Sequence, residues 1–215
     1  MVANRILHVV EAFSTGILQS ISQICNSLND DFEFSILHGN RKETPQNLQS
    51  YFSSEIRLIP WCAKREIDAS HEIRTLCELR NAVTEIKPDI IHAHSSKAGA
   101  LSRLFALHCH LPVIYSPRGY SFLRRDISLP VRTGYRLLEW GLGRLPHITV
   151  ACGIGELLQA ARVSPHVQMI PNMIDTRNID LLRCTPRMNG ERLTVAMSGG
   201  IRPQKNFTLF AEIAN

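Results

Sequence analysis

The chain has 215 residues, 44% of them hydrophobic and 20% charged, with a net charge of +5 and a pI near 9.0. This composition excludes a disordered chain, and no apolar run reaches the roughly 18 residues that a membrane span needs. The length corresponds to about one and a half domains of ordinary size.

The N-terminal residues lead into Ile6-Leu7-His8-Val9-Val10, a run too soon interrupted by Glu11 to be a signal peptide. It reads as a first strand. Phe32–Leu37, Ile56–Ile59, Asp89–Ala93, Val113–Tyr115, Ile148–Ala151 and Val167–Ile170 read as six more. Their near-continuous apolarity suits strands covered on both faces. A helix is expected from Gly16 to Asn29, where Ile17, Leu18, Ile21, Ile24, Cys25 and Leu28 share one face. A second follows a Ser70 cap, carries Ile73, Leu76, Leu79, Val83 and Ile86, and ends at Lys87-Pro88. A third starts behind Ser95-Ser96 and runs through Leu101, Leu104 and Phe105, and residues 130–143 and 154–162 form shorter ones. Strand and helix alternating in this way predict the α/β class with a doubly wound parallel sheet.

The composition changes after Asn172. Residues 176–192 are polar and irregular, as a linker would be. A further strand, Leu193–Met197, then precedes Ser198-Gly199-Gly200 and a helical pattern at Phe207, Leu209, Phe210 and Ile213. One strand and one helix cannot bury a core. The expected organisation is a domain over residues 1–175, a linker over 176–192, and over 193–215 the loosely held start of a second α/β unit.

Six cysteines lie 15 to 43 residues apart without a CxxC pair, so buried free thiols in a reducing compartment are expected rather than a zinc site. His92 and His94 share a strand face and could supply two metal ligands, but no third is obvious, and no metal is expected. Residues 101–150 hold Arg103, Arg118, Arg124, Arg125, Arg132, Arg136 and Arg144 against Asp126 and Glu139, which equals the whole net excess. All seven are Arg, which favours bidentate pairing with phosphate or carboxylate. Aromatic interleaving is thin and no nucleic-acid motif is present, so a phosphorylated ligand or an anionic membrane surface is the better match.

In an open parallel sheet, ligands bind at the carboxyl ends of the strands. The loop after Val10 places Thr15 and Gly16 at a helix start, where backbone N–H groups can approach an anion. There is no GxGxxG, so a dinucleotide fingerprint is absent. The next such loop places His94, Ser95, Ser96 and Lys97 at the start of the third helix, although either serine would also serve as a plain N-cap. Ser116–Phe122 brings Arg118 and Gly119 to the same rim, and Ile170-Pro171-Asn172 stands at the proposed junction. In Ser198–Lys205 a Gly pair precedes Arg202 and Lys205, a cradle suited to a diphosphate.

In order and spacing these loops resemble the nucleotide-sugar-dependent glycosyltransferases of the group 1 (family 4) type. The resemblance rests on Lys87–His94 with Ser96-Lys97-Ala98-Gly99, on Ser116–Phe122, on Ile170-Pro171-Asn172 and on Arg202–Asn206; Val150-Ala151-Cys152 with Glu156 approximates a further segment. It implies the GT-B architecture of two facing Rossmann-like domains, the first holding the acceptor and the second the sugar nucleotide. It implies retaining transfer from a nucleotide sugar, expected to be a UDP-sugar, to a lipid-linked or saccharide acceptor in envelope polysaccharide or lipopolysaccharide synthesis. It further implies a cytoplasmic protein, with Arg118, Arg124 and Arg125 facing acceptor phosphates or the inner leaflet. No cofactor and no metal are expected, because no Asp-x-Asp pair is available to hold a divalent ion.

The chain also departs from the family pattern. Thr15-Gly16 stands where two glycines are usual, and Arg118 stands where His is usual. Guanidinium binds anions but cannot act as a base. Asn172-Met173 replaces the usual Asn-Gly, and Gly200 occupies the place of the diphosphate-binding Arg, whereas Lys205 matches. The paired Glu residues that hold the donor do not follow Asn215, so little transfer is expected from this chain alone. A non-catalytic fragment or binding module is the alternative, and a sugar-nucleotide epimerase of the same architecture a third.

Overall fold

The computed structural model describes residues 4–64, 69–145, 147–174, 195–199 and 205–214. In chain order the elements are β1 (Asn4–Val10), α1 (Thr15–Ser27), β2 (Phe32–Gly39), β3 (Arg57–Trp61), α2 (Ala69–Ile86), β4 (Ile90–His94) and α3 (Ser96–Cys109). There follow β5 (Val113–Ser116), α4 (Leu129–Leu142), β6 (Ile148–Ala151), α5 (Ile154–Ala160), β7 (Val167–Met169) and α6 (Phe207–Ala214). The seven strands form one parallel sheet in the order β3-β2-β1-β4-β5-β6-β7. The chain winds outward from β1 in one direction and then, from β4, in the other. This is the doubly wound sheet that the apolar pattern predicts, and its point of reversal lies between β1 and β4.

Side chains alternate across the strands, so each face has its own core. On one face Leu7, Val9, Leu37, Ile91 and Val113 pack with Leu79, Val83 and Ile86 of α2 and Ala98 and Ala106 of α3. On the other, Val10, Phe34 and Ile36 pack with Phe13 and with Leu18, Ile21 and Cys25 of α1. Some residues expected on core faces, Leu28, Ile73, Leu76 and Leu104, are exposed instead. On α2 the buried Thr75 lies between Ile73 and Leu76, its backbone carbonyl accepting the Trp61 indole N–H at 3.0 Å. Among the described residues the thiols are free, but not uniformly buried as expected: Cys25 is buried, Cys62 and Cys152 are half-buried, and Cys77 and Cys109 are exposed, while Cys184 lies outside the described residues.

The first compact unit spans residues 1–175 and the second residues 176–215. The expected linker, Leu193, Thr194, Gly200 and Arg202 lie outside the described residues. Val195–Met197 form no strand, contrary to expectation, and no described strand pairs with them. In α6, Asn206 accepts the Leu209 N–H at 3.4 Å as a cap, and no residue of the helix is buried.

One charged network lies inside the first unit. Arg103 of α3, with its side chain 1% exposed, donates to Glu139 Oε2 of α4 at 2.8 Å and to the Gly99 carbonyl at 2.9 Å. Tyr115 of β5 donates to Glu139 Oε1 at 2.8 Å, and the guanidinium lies 4.1 Å from the centre of the Tyr115 ring. Burial and the Glu139 charge push the Tyr115 hydroxyl well above its ordinary range, so it remains a donor. Close approach requires Gly99, since a Cβ there would lie 2.2 Å from the Tyr115 ring. Breaking such a pair by removing one partner leaves a buried charge unopposed. Glu139→Ala is expected to lower unfolding stability by about 3–5 kcal/mol in urea titration. Gly99→Ala should be destabilising through steric overlap alone.

Candidate functional site at the carboxyl edge of the sheet

The carboxyl ends of β1, β4 and β5 converge at the point where the sheet reverses. Thr15, Ser95 and Arg118, which follow these three strands, all have left-handed backbone (φ 44°, 76° and 55°), and Gly119 follows at φ 101°. Such conformations cost of order 1–3 kcal/mol at residues other than glycine and concentrate at ligand sites. Thr15 is β-branched, and the missing second glycine therefore has a local cost. Thr15→Gly is expected to raise stability by about 0.5–1 kcal/mol in urea titration.

Arg118 is turned inward. Its Nη2 donates to Ser20 Oγ of α1 at 3.0 Å, and its Nη1 donates to Asn172 Oδ1 beyond β7. Ser20 and Asn172 are themselves 3.2 Å apart. Arg118 thus links three segments of the first unit. Its Nε is buried without a partner, as are Ser95 Oγ and Ser96 Oγ at the start of α3, and His94 Nδ1. Buried polar atoms are ordinarily satisfied, so these unused donors and acceptors make this edge the candidate site for a polar ligand.

Behind Arg118 lies a histidine cluster. His8 pairs in register with His92 across β1 and β4, and His94 follows on the same face. His8 is the third imidazole that the spacing of His92 and His94 did not show, brought in by strand pairing alone. The three residues' nearest ring nitrogens lie within 4.8 Å of one another. His8 Nδ1 and His94 Nε2 are 2.9 Å apart in a hydrogen bond, and His92 Nε2 is 3.0 Å from Ser116 Oγ. Two nitrogens on a tetrahedral zinc stand about 3.3 Å apart at ordinary Zn–N distances. The 2.9 Å contact and the nearby guanidinium favour a hydrogen-bonded cluster of neutral rings over a metal centre.

Burial, with Arg118 adding to it, lowers the pKa of His8 to about 3. Burial and the neighbouring His and Arg118 charges hold His94 well below its ordinary value. An unfolded imidazole titrates near 6.5, so folding favours the neutral form. The associated stability is complete above pH 6.5 and is lost as pH falls below it, at about 1.4 kcal/mol per pH unit for each such ring. The urea midpoint should therefore fall steeply between pH 7 and pH 5, and more shallowly in His8→Asn.

Other expected anion ligands have partners within the protein. Lys97 Nζ donates to Glu72 Oε1 of α2 at 2.5 Å, so its charge is compensated rather than offered at the rim. The Gly119 N–H donates to Glu156 Oε1 at 2.8 Å, and the Cys152 N–H donates to Glu156 Oε2 at 2.9 Å. Glu156 of α5 thereby holds together the loops that follow β5 and β6. Thr15 and Gly16 are exposed at the start of α1. Lys205 is exposed in the second unit, where a Cβ on Gly199 would lie 3.6 Å from its side chain.

An open doubly wound sheet with a polar, cationic site at its reversal point is the arrangement of a Rossmann-like ligand-binding domain. Residues 15–178 match the family model of Glycosyltransferase Family 4, and the chain belongs to that family. It is 27% identical to an Escherichia coli UDP-Gal:alpha-D-GlcNAc-diphosphoundecaprenol alpha-1,3-galactosyltransferase, over 70% of this chain and 42% of that protein. The fold is similar to Anabaena HepE in complex with UDP (TM-score 0.57, 13% identity, 80% of this chain and 44% of that one). It is also similar to sucrose-phosphate synthase from Thermosynechococcus elongatus (TM-score 0.60, 10% identity, 78% and 48%). A UDP-N-acetylglucosamine 2-epimerase from Rickettsia bellii shares the fold as well (TM-score 0.56, 8% identity, 79% and 45%). The chain spans less than half the length of each of these proteins.

Proposed function

We propose that this chain forms the acceptor-side part of a retaining glycosyltransferase that moves a sugar from a nucleotide donor to a lipid-linked saccharide in envelope polysaccharide synthesis. The observation that carries the reading is Arg118, held between Ser20 and Asn172 beside the unpartnered hydroxyls of Ser95 and Ser96 at the start of α3. A guanidinium next to a helix N-terminus suits an anion, and a diphosphate is the anion that a lipid-linked acceptor carries. The Escherichia coli relative, whose name specifies a GlcNAc-diphosphoundecaprenol acceptor, supports the same class. Thr15 and Gly16 line the neighbouring loop, and His94 keeps a neutral ring at the floor.

In this reading Arg118 orients the acceptor and offsets its charge, without exchanging a proton. The neutral histidines fix the strand ends on which Arg118 and Ser95 stand. Arg202 and Lys205 are proposed to meet the diphosphate of a UDP-sugar. The division into a domain over residues 1–175, a linker over 176–192 and a donor-side segment over 193–215 belongs to the same proposal. So does a location at the inner face of the cytoplasmic membrane. Arg118 and Arg124 do not serve that surface, since Arg118 is bound to Ser20 and Asn172 and Arg124 pairs with Asp126 at 2.6 Å.

A short-chain, water-soluble GlcNAc-diphospho-lipid is expected to bind the chain in calorimetry, and Arg118→Gln should weaken it at least tenfold. The non-phosphorylated saccharide should bind weakly to both forms. Equal binding by the variant, or full competition by free UDP, would overturn the assignment of this edge to the acceptor.

A further inference from the structure

We propose that Glu156 is a positioning residue for the acceptor edge: it sets the direction in which Arg118 points and acts on the acceptor only through that guanidinium. The inference rests on the acceptor reading and deepens it by naming what aims Arg118. Glu156 stands in the first turn of α5, where a carboxylate ordinarily folds back to cap its own helix. Only one of its oxygens does so. Oε2 accepts the Cys152 N–H at 2.9 Å, just ahead of the helix, whereas Oε1 accepts the Gly119 N–H at 2.8 Å, 37 positions away along the chain. The turns joined in this way follow β5 and β6, which lie side by side in the sheet. A plain helix cap would engage Cys152 alone. The bond to Gly119 is the one that concerns the site.

The turn after β5 needs such a tie. Arg118 and Gly119 are consecutive left-handed residues, at φ 55° and 101°. A left-handed arginine has to be held by its surroundings, because the conformation is unfavourable outside glycine. Packing does not hold Gly119, which is exposed and whose Cβ, if it had one, would meet nothing within 4 Å. Pro117, just before the pair, has no N–H to donate. Glycine takes either sign of φ with similar ease, so the turn has no strong preference of its own. The bond to Glu156 therefore fixes the backbone, while Ser20 and Asn172 hold only the far end of the Arg118 side chain. Charge acts in the same direction. Burial lowers the pKa of Arg118 from its ordinary value, and Cys152 and the Glu156 carboxylate oppose that shift. One acid thus anchors the peptide beside Arg118 and offsets part of the cost of placing a guanidinium inside the edge.

Glu156→Ala removes both acceptor oxygens, and Glu156→Gln keeps the length of the side chain with one of them. Unchanged circular dichroism identifies folded variants, and Glu156→Gln carries the test if Glu156→Ala does not fold. In hydrogen exchange followed by NMR, the Gly119 N–H of the unaltered chain should exchange slowly for an exposed turn. Exchange should be at least tenfold faster in Glu156→Ala and intermediate in Glu156→Gln, and the Arg118 Nε–H resonance should move in both. In calorimetry with the short-chain GlcNAc-diphospho-lipid, Glu156→Ala should weaken binding at least tenfold. In an Arg118→Gln background the same substitution should change binding less than twofold, because its effect passes through Arg118. A general loosening of the fold would instead weaken binding by the same factor in both backgrounds. Four results would overturn the proposal: unchanged Gly119 exchange in folded Glu156→Ala, undiminished lipid binding by it, equal weakening in both backgrounds, or loss of the fold in both variants. Exchange is read without ligand. A chain that never binds the lipid therefore refutes the acceptor reading, while Gly119 exchange and the Arg118 resonance still decide whether Glu156 aims the guanidinium.

Discussion

Helix α4 is fastened to the fold by a buried charge together with the apolar packing of Tyr135 and Leu142. On its inner face Glu139 is gripped by Arg103 from α3 and by the Tyr115 hydroxyl from β5. This contact decides which side of the helix faces inward, and hence that Leu129, Leu137 and Trp140 face outward. It also fixes the strand that ends at Ser116, two residues before Arg118. One buried network therefore sets both the outer face of α4 and the foundation of the cationic site. The close approach of α3 to Tyr115 at Gly99 makes the arrangement possible, because a larger residue would separate the helix from the sheet.

At the site, order comes from compensating polar contacts more than from packing. Strand pairing aligns His8, His92 and His94 on one face, and burial keeps them neutral. Neutral rings can lie next to the Arg118 guanidinium without the repulsion that three imidazoliums would impose. The strained backbone at Thr15, Ser95 and Arg118 places polar groups at the reversal of the sheet. Ser20 and Asn172 hold Arg118 through its terminal nitrogens and leave its Nε unused.

The sheet was legible in the sequence because buried parallel strands leave short apolar runs, and all seven runs became strands within a residue or two at most ends. The helices between β1 and β7 followed from periodicity in the same way. What periodicity cannot give is proximity between distant residues. His8 is 84 positions from His92, and only the register of β1 on β4 unites them. The arginine-rich segment read as one cationic surface, yet Arg103 is buried against Glu139 and Arg118 is committed to Ser20 and Asn172. Spacing showed where the charges stood along the chain, and the partners assigned their roles. Lys97 is a similar case: its position at a helix start suggested an anion, but Glu72 on the neighbouring helix already neutralises it. For Glu156 the family pattern indicated a place, and the two backbone N–H groups it accepts supply the reason.

That carboxylate has a consequence for how the site can change over time. Because one side chain of α5 grips the turns after both β5 and β6, the backbone at Gly119, and with it the aim of Arg118, is adjustable from behind. Substitutions in α5 that move the helix slightly would retune the neighbouring rim while every ligand-touching residue stays the same. The scaffold thus offers a route for retuning the proposed acceptor edge by small steps, with selection acting on a helix set behind that edge.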